Sequence, residues 1–149
     1  MTDSKRTIKI SIPSDLDWLG VIDKTVEGIT EVMDFDEFDR DSVSICVIEA
    51  ATNAIQHGHE TSPDKPVDLE FIMEPEILTV TVLDHGKGFS PPDLEGEIGP
   101  APDLTRTRGR GIFLMRSMMD EISFDFDEGT LIRLVKRKSP SESEEEASA

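Results

Sequence analysis

Residues 78–89 read LTVTVLDHGKGF. Leu78, Val80, Val82 and Asp84 share one parity, so a strand here turns all four to the same side. That side is apolar, hence core or pocket wall, and a carboxylate on it is costly unless a donor satisfies it. The donor can come from the protein or from a ligand. Gly86 and Gly88 follow at once and let the backbone approach something closely. An acceptor on the floor of a pocket beside such glycines suits a planar ligand bearing an NH₂ group, and adenine is one. The same residues also read as a strand-ending turn capped by Asp84, because short glycine motifs match by chance often.

The surroundings extend the pattern. TIKISIP (7–13) alternates as a half-buried strand, and Ser14 reads as the N-cap of a helix in which Leu16, Leu19, Ile22, Val26, Ile29 and Met33 recur at helical spacing. DFDEFDRD is an acidic link. A second helix is expected from about Arg40 to His57, stopped by Gly58. VDLEFIM and ILTVTVLD are strands around the turn EPE. Residues 89–108 hold four prolines and two glycines with little periodicity, a long loop of the kind that is usually functional. GIFLMRSMMDEI resumes a helical pattern, and ISFDFDEGTLIRLVKR reads as a hairpin turning at Glu128 and Gly129. The expected fold is α+β: a two-layer sandwich with a mixed or antiparallel sheet and helices on one face. One domain, 6–137, precedes a disordered acidic tail, 138–149.

Two more clusters carry chemistry. In EAATNAIQHG (49–58), Glu49 and Asn53 are four apart and therefore neighbours on one helix face, with His57 one turn further on. An Asn oxygen suits a hard cation such as Mg²⁺, and a Glu can take a proton from a nucleophile. The plain alternative is a polar helix edge with an i, i+4 hydrogen bond, and His57 can serve simply as a helix C-terminal residue. In TRTRGRGIFLM (105–115), Gly109 and Gly111 precede a helical pattern, a position that exposes N–H groups to phosphate. Arg106, Arg108 and Arg110 crowd there in an otherwise acidic chain. They could equally pair with nearby acids. Taken together, the order and spacing of the three clusters form a compound pattern that chance matches far less readily than any part.

Composition sets the outer limits. A formal charge of −17 argues against nucleic acid and against an anionic membrane surface. No apolar run reaches transmembrane length, the first residues lack the apolar segment of a secretory signal, and the one cysteine, Cys46, has no internal partner. The expected compartment is the cytoplasm.

On these motifs the chain resembles the GHKL (Bergerat-fold) ATP-binding domain of gyrase, heat-shock 90 chaperones, MutL and sensor histidine kinases. EAATNAIQHG is similar to that family's N box, DHGKGF to its first glycine box and GRGI to its second. More narrowly, the N box, GIFLMRSMMDEISF and GTLIRLVKR resemble the stand-alone anti-sigma factor serine/threonine kinases of the RsbW type. The resemblance implies roles. Asp84 would accept from the adenine amino group of ATP or ADP, with Gly88 close to the base and Gly86, Phe89 and Thr130 also in the nucleotide site. Asn53 would ligate Mg²⁺, with His57 next to it, and Glu49 would be the general base. Gly109 and Gly111, with Arg106, Arg108 or Arg110 near them and Ile112 next in the nucleotide site, would bind the phosphates, and 89–108 would be a lid. Arg110 and Ile112 stand where the subfamily often has leucines. No phospho-acceptor helix pair is present, so a histidine autokinase is not expected. The implied function is phosphorylation of a STAS-domain anti-anti-sigma protein in a partner-switching circuit. A sigma factor or other regulator would be held in turn, by a homodimer. The alternative is an ATP-binding switch without catalysis.

Overall fold

The computed structural model of the chain describes residues 5–61, 64–86, 107–125 and 129–139. Strand β1 (Arg6–Ile12) leads through a 3₁₀ turn (Leu16–Trp18) to helix α1 (Leu19–Val32) and helix α2 (Glu37–Thr61). Strands β2 (Val67–Met73) and β3 (Ile77–Asp84) follow, then helix α3 (Thr107–Met118), β4 (Glu121–Asp125) and β5 (Thr130–Arg137). The five strands form one sheet in the order β1-β2-β3-β5-β4, and every neighbouring pair is antiparallel. Helices cover one face, as an α+β sandwich requires. Of the two sheet types the sequence allows, the described strands take the antiparallel one.

Strict alternation in β3 explains why that face is covered. Leu78, Val80, Val82 and Asp84 are buried, while their odd-numbered neighbours are only partly so. Val67, Leu69 and Phe71 of β2 and Ile132 and Leu134 of β5 extend the same apolar surface sideways. Onto it pack Val43, Val47, Ala50, Ala54 and Ile55 of α2, with Ile112 and Met115 of α3. The small alanines let α2 lie close against β3. Helix α1 packs mainly on α2.

Several boundaries differ from the sequence reading, each for a local reason. The first cap is Asp15, whose carboxylate accepts from Asp17 N–H; Ser14 instead donates to the Lys65 carbonyl at 2.7 Å. Leu16 lies in that turn and is exposed. Strand β1 is an edge strand and buries only Ile12 fully, so it is not half-buried along its length. Helix α2 begins three residues early because Asp36 caps it: its side chain accepts from Asp39 N–H at 2.8 Å. The helix then continues through Gly58 to Thr61. Glycine inside a helix costs roughly 0.5–1 kcal/mol, which weakens a helix without stopping it. Helix α3 likewise starts at Thr107, so Gly109 and Gly111 lie within its first turns rather than before it. It ends at Met118, and Glu121 and Ile122 already belong to β4. Two residues expected in the tail are held: Lys138 N–H donates to the Glu76 carbonyl, and Ser139 bonds to Asp39. Residues 140–149, and with them the rest of that expectation, lie outside the described residues.

Candidate functional site

Antiparallel register brings the end of β3 and the start of β5 together: Asp84 lies opposite Thr130 on one side and Val67 on the other. Asp84 is 1% exposed. Its Oδ1 accepts from Gly86 N–H at 2.9 Å, and the backbone N–H of Thr130 donates to the carboxyl as well. Burial pushes this carboxyl above the usual range, while the Gly86 N–H, the charge of nearby His57, the Thr130 N–H and His85 pull it back. A carboxylate offers about four lone-pair sites, and among the described residues two backbone N–H groups fill part of that capacity. The donor that the sequence demands for Asp84 is thus partly supplied by backbone.

Gly129 closes the back of this arrangement, with φ +123°. A Cβ there would collide with the Asp84 carbonyl oxygen. Sequence reading assigns Gly129 only a hairpin turn; its contact with Asp84 follows from strand register, for which the dipeptide Glu-Gly gives no signal.

Helix α2 supplies the second wall. Asn53 and His57 are both buried, and Glu49 is half-buried on the same face. His57 is near enough for its charge to act on Asp84, which joins the N-box stripe to the end of β3. Thr130 is buried beside Asp84. Arg108, Gly109, Arg110 and Gly111 form the first turns of α3, and Ile112 is buried in the core beneath them. Gly88, Phe89 and Arg106, and the expected lid up to residue 106, lie outside the described residues.

On the opposite face of the sheet, His85 Nε2 lies 2.7 Å from Asp68 Oδ2. Burial works upward on Asp68, but the hydrogen bonds from His85 and Ser11 outweigh it and hold that carboxyl low. An apolar groove of about 840 Å³ lies elsewhere, between α1 and the β1–β2 edge near Ile8, Gly28 and Met73. It shares no residue with the cluster around Asp84 and has no buried carboxylate at its floor. Among the described residues no three His, Cys, Asp or Glu side chains converge as metal ligands. None of the described helices is long and apolar enough to cross a membrane.

The buried Asp84 at the end of β3, the Glu49–Asn53–His57 face and a glycine-bearing helix start are accompanied by a direct family match. The histidine kinase-like ATPase domain family matches residues 12–136, and the chain belongs to it. Within that class the chain is 30% identical over 134 residues to the serine-protein kinase RsbW of Bacillus licheniformis, covering 87% of this chain and 84% of the relative. It is 26% identical over 141 residues to the protein of that name from Bacillus subtilis, covering 91% and 88%. Among solved structures, the RsbU and RsbW domains of Rv1364c from Mycobacterium tuberculosis superpose with a TM-score of 0.67 at 14% identity. That match covers 91% of this chain and 34% of the longer one. The SiaB–SiaC complex from Pseudomonas aeruginosa gives 0.63 at 11% identity, covering 87% and 88%. These two likenesses establish the fold.

Proposed function

We propose that this chain is an ATP-dependent serine/threonine protein kinase that phosphorylates a STAS-domain anti-anti-sigma protein. The observation that carries the reading is Asp84, a buried carboxylate at the end of β3 within reach of the charge of His57 on the N-box face. It occurs in a chain similar over most of its length to serine-protein kinases.

In this reading Asp84 accepts from the adenine amino group, and Thr130 and Gly86 hold the carboxylate in place. Asn53 presents its carboxamide oxygen, a hard donor suited to Mg²⁺. Bound in that position, Mg²⁺ would neutralise charge on the transferring phosphoryl group. The start of α3 directs its N–H groups at the phosphates. Glu49 is the general base. The substrate hydroxyl oxygen bonds to the γ-phosphorus and the bond to the bridging oxygen breaks. ADP leaves with that electron pair, and the hydroxyl proton passes to Glu49.

The unphosphorylated cycle would include a sigma factor or another regulator held by a homodimer, in the cytoplasm. Mixing the protein with its STAS partner and labelled ATP tests the proposal. Label on a partner serine or threonine supports it, whereas an active partner preparation left unlabelled removes the enzyme claim. A chain that binds ATP and its partners but transfers nothing would be the non-catalytic switch.

A further inference from the structure

The two helices that flank the proposed nucleotide site are fastened, at their opposite ends, to a single ammonium group. Lys136 of β5 shares parity with Ile132 and Leu134, whose side chains are core. An apolar residue would continue that row. Instead the Lys136 side chain is 12% exposed, and its Nζ donates to the carbonyl of Met118 at 2.9 Å. Met118 is the last residue of α3, where carbonyls lack intrahelical partners and a cation is favoured. The same Nζ lies 3.6 Å from Oδ1 of Asp39, in the first turn of α2, whose side chain is 5% exposed. Asp39 Oδ2 is occupied in turn by the N–H and hydroxyl of Ser139, at 3.2 and 2.5 Å.

A buried ion pair is a poor source of net stability, because desolvation offsets most of the attraction; its better-attested use is to fix an arrangement. What is fixed here is the spacing of α2 and α3. The rest of the corner agrees: Asp120 N–H donates to the Val135 carbonyl at 2.9 Å, and Arg137 N–H donates to Asp120 Oδ2 at 2.6 Å. A helix rises about 1.5 Å per residue, so Asn53 lies roughly 21 Å along α2 from Asp39, and Gly109 roughly 14 Å along α3 from Met118. A packed helix moves as a rod over such lengths, and displacement at the tied end is carried to the phosphate end.

Resting on the kinase reading above, we propose that Lys136 is a positioning residue for the phosphates of ATP: by gripping Met118 and Asp39 it holds the start of α3 at the distance from Asn53 that a triphosphate requires. The adenine contact at Asp84 belongs to the sheet and is independent of this grip.

Calorimetric titration with ATP and, separately, with adenosine, both with Mg²⁺, separates the two ends. Lys136→Met keeps the aliphatic stem and loses the grip. It should weaken ATP about tenfold while adenosine changes less than twofold, and it should raise the KM for ATP more than it lowers kcat. Lys136→Arg should recover most of the loss. Because Lys136→Met leaves Asp39 buried without its cation, the Asp39→Asn/Lys136→Met pair provides a folded neutral version, in which ATP should remain weak. A folded double variant with wild-type ATP affinity would overturn the proposal, as would equal losses for ATP and adenosine. A wild-type protein that binds neither ligand would overturn the nucleotide reading itself, and that failure is visible before any variant is made.

Discussion

The adenine end and the phosphate end of the proposed site are built by opposite means. Asp84 is held by a sheet: the pairing of β3 with β5 places Thr130 N–H against it, and Gly129 backs it with no side chain. Moving Asp84 means breaking strand register. The phosphate end is instead the start of a helix whose far end is tied to Lys136, more than a helix turn away from anything it would bind. A ligand that uses only the first end meets a preformed anchor. One that uses both ends also depends on how α2 and α3 are spaced. If the proposed site is correct, affinity for the base and competence for phosphoryl transfer can be altered separately.

The largest separation should come from Glu49→Ala. Removing a general base typically costs about a hundred- to ten-thousand-fold in rate, and phosphotransfer should fall by that much while ATP affinity stays within about threefold. Equal losses of both would mean that Glu49 holds the nucleotide or the helix rather than the proton. Next comes Gly129→Ala. The collision with Asp84, added to a positive φ, should cost about 1–3 kcal/mol, read as a lowered unfolding midpoint in urea. The variant should also bind adenosine more weakly. An unchanged midpoint would show that the β3–β5 end is not the rigid half.

A smaller effect is the pH dependence of the empty protein. Burial raises the Asp84 carboxyl in the folded state, so the folded state holds that proton more tightly than the unfolded one. Its stabilising contribution is therefore complete below the unfolded value of about 3.9 and is lost as pH rises through the raised folded value. Asp84→Asn lacks this loss, so the stability of wild type minus that of Asp84→Asn should decline as pH rises from about 4. A difference that grows with pH in urea titrations would contradict the buried-carboxyl account. Least of all should change at Cys46. Burial pushes this thiol up to about 11, against a lowering by Lys136, and it is fully covered. A thiol reagent at neutral pH should leave it unlabelled until the chain unfolds, and prompt labelling would mean that the α2–α3 layer opens.

The adenine end was the more legible in sequence because alternation is a two-residue signal. Leu78, Val80, Val82 and Asp84 announce their shared side without any knowledge of partners. The strands β2 and β3 and the α+β class followed from the same rule. Helix ends were less legible, since they are decided by competition between local preferences. Gly58 has the right chemistry for a stop, yet α2 continues through it, and Asp36 rather than Arg40 marks its start. Gly129 against Asp84, and Lys136 between Met118 and Asp39, join residues 45 and 97 positions apart in the chain. Neither contact has a periodic signature, and Lys136 reads in sequence as an ordinary basic residue near a strand end.

Whether Asp84 accepts from a purine amino group, as proposed, is decided by calorimetric titration of the wild-type protein and of Asp84→Ala with Mg²⁺ and ATP. Losing a hydrogen bond to a charged acceptor, together with its buried surroundings, should weaken binding by about a hundredfold or abolish the heat altogether. No heat from the wild type, or the same affinity in both proteins, would contradict that proposal.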